Sequence, residues 1–255
     1  MNFFTPSPRA ATPRLHDGDR IEVAGAPVRL RVDGRARRVS LRLDAARREV
    51  VATAPTPRRL SEAAAFAQHR ADWIRGLIEG LPALTPLEPE GAIELLGQPC
   101  RIEAAPGRAG LLRDGEVLRL HAPSGDGFNR SVIRVLKAEA RRVLTERTCE
   151  HAAAVGRPMP VIGIMDAKAR WGSCTQPRRS GFGAAETVGR IRYSWRLVLT
   201  PFEVMDYVAA HECAHLVEAN HGPRFWALVR ELVGDERPHR KWLRANSARL
   251  QAFGL

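Results

Sequence analysis

Apolar and polar residues alternate early in this chain. Val28-Arg29-Leu30-Arg31-Val32 and Val39-Ser40-Leu41-Arg42-Leu43 each put every second side chain on one face. That period of two predicts antiparallel strands within 20–54, each with one buried side, and Pro55-Thr56-Pro57 closes them. From Ser61 to about Leu81 the interval lengthens. Ala64, Ala67, Ala71, Ile74 and Ile78 recur at helical spacing, with Phe66 and Trp73 nearby, and predict one helix. The stretch from Leu81 to Pro89 is a proline-rich connector. Residues 91–122 return to short strands with glycine-containing turns, and Ser124-Gly125-Asp126-Gly127 marks the expected division of the chain.

The second part reads differently. A long helix is expected from about Asn129 to Val155, stopped by Gly156. Strands follow around Val161 to Ala167 and Arg190 to Leu199, joined by the glycine-containing stretch 172–189. Thr200-Pro201-Phe202-Glu203 then offers a capping threonine, a proline at the first helical position and a glutamate three residues after the cap. Further helices are expected from Pro223 to Val233, ending at Gly234, and from about Pro238 to Ala252. The expected fold class is α+β. A tail over 1–14, expected to be disordered, precedes a β-rich part with one helix over 15–125, and a compact domain occupies 126–255. No repeat of solenoid period is visible.

The chemistry concentrates in one helix. His211-Glu212-Cys213-Ala214-His215 is an H-E-x-x-H run, and His221 follows ten positions after the first histidine. Residues four apart on a helix share a face, so His211 and His215 can direct two imidazoles at one ion. Glu212 stands beside the first of them, placed to reach a water rather than the metal. A zinc hydrolase needs two nitrogen ligands, a third ligand, an open position for water and a carboxylate to take its proton. Of eight histidines, four fall between His211 and His239. The segment around the pair is apolar, and buried histidine and glutamate without partners would be costly.

The third ligand is not settled by spacing. Six residues at about 1.5 Å each would carry His221 roughly 9 Å beyond His215 if the helix ran on. The helix is therefore expected to end near Ala219 or Asn220, with Gly222-Pro223 preventing its continuation. His221 then folds back toward the ion. Glu218, on the same face as His215, and the more distant His239 are the rivals.

Together these motifs resemble the YgjP-like metallopeptidase family. The resemblance rests on Lys168-Ala169-Arg170-Trp171-Gly172-Ser173-Cys174, Tyr193-Ser194-Trp195-Arg196-Leu197, the run Tyr207 to His221, Gly222-Pro223-Arg224-Phe225-Trp226 and Lys241-Trp242-Leu243. Arg37-Arg38-Val39-Ser40-Leu41-Arg42-Leu43 and Ala71-Asp72-Trp73-Ile74 extend it into the first part. Ser194 and Gly222 stand where the family often has asparagine and serine. The H-G-P-x-F stretch is also similar to SprT-like proteases. The resemblance implies a zincin-like domain in which His211, His215 and His221 bind Zn2+ and Glu212 is the catalytic carboxylate.

Composition narrows the remaining choices. No apolar run approaches a membrane span, and the start of the chain lacks the features of a signal peptide. Four scattered cysteines without a C-x-x-C pair read as reduced thiols, and a cytoplasmic location is expected. Cys174 could line the site, although a packed thiol is the plainer reading. The net charge of +12 invites a nucleic-acid partner, but only three of forty basic residues are lysine. A GC-rich genome produces such an arginine skew without selection for a binding surface, so nucleic acid is not the favoured partner.

The expected activity is hydrolysis of a peptide or protein, with the peptide paired to the sheet edge near Arg190 to Arg196. Donors considered for the developing oxyanion are Arg170, Lys168, Tyr193, Tyr207 and His239. Trp171, Trp195, Trp226 and Trp242 are expected in the core. Two other functions compete. One is a metal-dependent phosphohydrolase acting on nucleotides, with Lys168, Arg170 and Arg196 neutralising phosphate. The other is a nucleic-acid or protein-binding module with structural zinc. Oligomeric state is not legible.

Overall fold

The computed structural model describes residues 14–45, 47–115, 117–167, 170–177 and 188–254. The tail expected over 1–14 lies outside them except for Arg14, and so does Lys168. The fold is mixed α+β and divides into two units, Met1–Leu81 and Pro82–Leu255. The division falls in the proline-rich connector rather than at Ser124–Gly127, which corrects the 15–125 and 126–255 partition. The reason is a shared core. Ile93, Leu95, Ile102, Leu118 and Leu120 from the 91–122 region are buried in one cluster with Phe128, Val132 and Leu136 of the helix that follows.

In the first unit, β1 (Arg20–Val23), β2 (Ala26–Val32), β3 (Ser40–Asp44) and β4 (Glu49–Ala54) form a sheet in the order β1-β2-β4-β3. The hairpins β1–β2 and β3–β4 are antiparallel, as the alternation suggests, but β2 and β4 run parallel. The helix expected over 61–81 is two helices, α1 (Leu60–His69) and α2 (Ala71–Glu79), broken at Arg70. The break lets both apolar stripes reach one core. Ala63 and Ala67 of α1 and Ile74 of α2 are buried with Val28, Leu30, Val50 and Ala52 of the sheet.

The second unit opens with the same topology. Its strands β5 (Ala92–Leu95), β6 (Gln98–Ala104), β7 (Gly110–Asp114) and β8 (Val117–Ala122) take the order β5-β6-β8-β7, again with a parallel central pair. Val28 faces Val50 in the first sheet, and Cys100 faces Leu118 in the second. Both leading hairpins turn through two residues of positive φ, Ala24-Gly25 and Leu96-Gly97, as the right-handed strand twist favours. Helix α3 (Phe128–Ala154) follows and ends before Gly156 at φ 67°.

A three-stranded sheet comes next. It consists of β9 (Val161–Met165), β10 (Gly172–Thr175) and β11 (Arg190–Ser194) in the order β10-β11-β9. The strand β10 lies in a stretch expected only to join its neighbours. Trp195–Leu199 is a 3₁₀ turn rather than a continuation of β11. Helices α4 (Phe202–Ala214), α5 (Pro223–Val233) and α6 (Arg237–Gln251) complete the unit. Among the described residues, no helix is long and apolar enough to cross a membrane.

Candidate metal centre

The centre is built on α4, which is buried on almost every side: Val208, Ala209, Ala210, Cys213 and Ala214 are each under 5 % exposed. Burial of each larger apolar side chain is worth about 1.5–3 kcal/mol, so α4 is held mainly by its surroundings. Its start differs from the capping box expected at Thr200. The Thr200 hydroxyl turns back to donate to the Leu197 carbonyl at 2.8 Å, and Pro201 takes the cap position. Position along the chain is secured by Asp206, which accepts from Arg147 Nε and pairs with His151 Nε2, both at 2.7 Å and both from α3. Burial alone would raise the Asp206 carboxyl, but His151 and Arg147 outweigh it and hold it below the usual carboxylate range.

The helix ends about one turn before Ala219, at Ala214. The amides of Leu216 and Val217 then bond three residues back, to the carbonyls of Cys213 and Ala214. The His215 ring helps to close this end, its Nδ1 lying 3.0 Å from the Glu218 carbonyl. That bond orients His215 and leaves its Nε2 free. Glu218 therefore contributes its main chain. Its carboxylate lies 3.9 Å from Arg224, and it is not part of the cluster of potential ligands.

His221 returns to the helix face. Its Nε2 lies 3.1 Å from His211 Nε2, and one ring nitrogen from each of His211, His215 and His221 falls within 4.8 Å of the others. Tetrahedral zinc with bonds of about 2.0–2.1 Å spaces its nitrogen ligands roughly 3.3 Å apart, so the pair suits such an ion. Tyr207 Oη sits 3.4 Å from His211 Nδ1, at the far side of that ring. Burial, then the neighbouring His215 and His221, push His211 down to about 3, and burial also lowers His215. Both rings are neutral near pH 7, the form that coordinates a cation.

Phe225 and Trp226 hold the rings from behind. The Phe225 ring centroid lies 4.8, 4.4 and 4.7 Å from those of His211, His215 and His221. Trp226 flanks His211 and His221, and the Arg240 guanidinium lies over the Trp226 ring, 4.5 Å from its centroid. This role for Phe225 was not assigned by the sequence reading, although G-P-x-F-W directly after the third histidine is a visible signal. His239 stacks on Tyr207 at 5.8 Å and is not among the clustered ligands.

Glu212 is 6 % exposed and faces β10. A Cβ at Gly172 would overlap Glu212 Oε1 and stand 2.6 Å from its Cδ, so only glycine admits the carboxylate here. Burial pushes the Glu212 carboxyl up to about 7, against a smaller pull from the Arg170 charge. Such a group can both take and return a proton near neutrality. Between β10 and the histidines lies a cleft of about 620 Å³, with Gly172 to Pro177 as one wall and His211, Glu212, His215, Ala219 and His221 as the other. Gln176 ties the walls together, donating from Nε2 to the His215 carbonyl at 2.8 Å.

Several other expectations are corrected. Tyr193 is fully buried and its hydroxyl pairs with Thr148 Oγ1 at 2.9 Å, so it cannot serve as an oxyanion donor. Tyr207 is engaged with His211 and His239. Arg196 is buried against Asp166, the Phe253 carbonyl and the Trp195 ring, and is not available to a phosphate. Cys174 does line the cleft, but burial first and Glu212 second push its thiol up to about 12, which keeps it protonated. The central strand of the site sheet is β11, so Arg190 to Arg196 is not an edge. Among the described residues the edge beside the cleft is β10.

Comparison with curated proteins and with solved structures finds no match. A family model described as the YgjP-like metallopeptidase domain matches residues 37–246, which reach from the first sheet into α6 and include the whole H-E-x-x-H region. With most of its length and its clustered histidines inside that match, the chain belongs to the YgjP-like metallopeptidase domain family.

Proposed function

We propose that this protein is a zinc-dependent peptidase of zincin-like design, with His211, His215 and His221 as the metal ligands. The observation that carries the reading is the convergence of three ring nitrogens beside a buried carboxylate at the floor of an open cleft. The donor set fits zinc, because Glu218 and Tyr207 engage the second nitrogens of His215 and His211 and leave Nε2 of each for an ion. When bound, zinc would supply Lewis acidity toward a water and a substrate carbonyl. Glu212 takes a proton from the attacking water and later delivers it to the leaving amine. Gly172 keeps that carboxylate against the β10 backbone, between the metal ligands and the substrate side of the cleft. Of the donor candidates among the described residues, Arg170 and His239 remain, and Arg170 is favoured because its charge reaches Glu212.

A peptide substrate would lie extended along β10 and pair with its outer edge. A buried base beside the ligands separates this reading from a structural zinc site, which has no use for one. Parallel assays on a peptide library, a casein-like protein and a nucleotide panel, with and without chelator, test it. Chelator-sensitive cleavage of peptides alone is expected. Turnover of nucleotides without peptides would replace it with the phosphohydrolase reading.

A further inference from the structure

A second groove lies wholly within the first unit, between β3 and the α1–α2 corner. It encloses about 450 Å³, with residues 38–41 on one side and Phe66, Arg70 and Trp73 on the other. Two of its aromatic side chains are open to solvent, Phe66 at 36 % and Trp73 at 46 %. Apolar rings of this size are seldom left exposed together along one groove without a partner. Among the described residues β3 is hydrogen-bonded to β4 alone, so its outer edge presents unpaired main-chain donors and acceptors.

The charges around the groove are distinctive. Arg35, Arg37, Arg38, Arg42 and Arg70 are all exposed. Arg20, Arg29 and Arg47 gather on Glu49, and Arg59 pairs with Glu62. The groove arginines, in contrast, take part in no ion pair among the described residues, where Arg70 is found 5.8 Å from the Phe66 ring. The second sheet supplies an internal control. There, Arg113 of the corresponding edge strand β7 meets Glu139 of α3 at 2.5 Å, and Asp114 lies 3.8 Å from Arg119. One edge is neutralised by its own helix, and the other is left cationic.

We propose that this groove binds an extended acidic peptide segment, added as a fifth strand along β3. Its main chain would satisfy the free edge, an apolar side chain would rest on Phe66 and Trp73, and its carboxylates would meet Arg38 and Arg70. Strand addition into a groove between an edge strand and a helix is an established mode of peptide recognition. A single-stranded nucleic acid could use the aromatic and basic groups, but its backbone cannot reproduce a strand's alternating donors and acceptors. The open strand edge decides for a peptide.

The test uses the full chain carrying Glu212→Gln, so that the probe is not consumed. The probe is a fluorescein-labelled peptide alternating glutamate with valine around one phenylalanine, followed by anisotropy. Saturable binding is expected. Arg38→Glu and Arg70→Glu should each weaken it by about tenfold or more, since each reverses one charge at the contact. Trp73→Ala should weaken it too, and N-methylation of alternate peptide nitrogens should abolish it. All three replaced residues are exposed, and unchanged thermal melting would establish that the variants fold. The proposal is overturned if no binding occurs, if the variants bind as the parent does, or if an oligothymidylate binds with the same Arg38 and Arg70 dependence and the peptide does not.

Discussion

The two four-stranded sheets have one topology and opposite duties. Each has a leading hairpin, a parallel central pair in matching register and an outer hairpin. They part at the helices. In the first unit the chain breaks at Arg70 into two short helices that leave Phe66 and Trp73 exposed, and Arg70 itself enters no ion pair among the described residues. In the second, one unbroken helix, α3, covers the sheet with Leu136 and its neighbours and runs on to grip Asp206 of α4. The lesson is that a common sheet does not dictate a role. A long helix transmits the position of one sheet to the clustered histidines, whereas a broken one leaves the other sheet with a surface to offer.

Four experiments would break or sharpen this contrast. The largest effect should come from Glu212→Gln, which removes the proposed base. Turnover should fall by about 10²–10⁴-fold while metal content, read by atomic absorption, stays at the parent value. Parent-like turnover would end the assignment. Next, Leu136→Ala in α3 should cost about 2–5 kcal/mol in chemical denaturation and lower metal retention, because it loosens the helix behind α4. The comparable change Ile74→Ala should destabilise only the first unit and spare metal retention. If both variants lose metal equally, the division of labour is wrong.

Gly172→Ala should displace the Glu212 carboxylate and reduce kcat by roughly 10²-fold, with KM and metal content little changed. The smallest effect concerns acid. Because Asp206 is held below its unfolded value, its contribution to stability is fully present above about pH 4 and is lost as pH falls through the folded pKa. Melting temperatures between pH 6 and pH 3 should therefore drop less steeply in Asp206→Asn than in the parent, and parallel curves would remove Asp206 from the account.

Much of the architecture is legible because it is local. The period of 3.6 locates α3 to within a residue of its observed ends, and Gly156 marks its stop. The break at Arg70 is not legible, since Ala63, Ala67 and Ile74 continue a plausible helical stripe and only the sheet beneath decides how they dock. Four-residue β10 lies in a glycine-containing stretch with no alternation to reveal it. The likeness of the two sheets does leave a trace. Ile21-Glu22, Gly25, Pro27 and Arg29 recur as Ile93-Glu94, Gly97, Pro99 and Arg101. A search for solenoid periods passes over a repeat of that length.

Sequence alone determined that His211 and His215 share a helical face with Glu212 between them, because a helix repeats its geometry every turn whatever surrounds it. Tertiary structure decided the rest of the centre. It turned the Glu218 carbonyl toward His215, stacked His239 on Tyr207 and brought His221 back to 3.1 Å from His211 over the Phe225 ring. It also decided which arginines found carboxylates and which did not. Contacts of that kind join residues far apart in the chain, and their formation depends on how whole elements pack rather than on any local period.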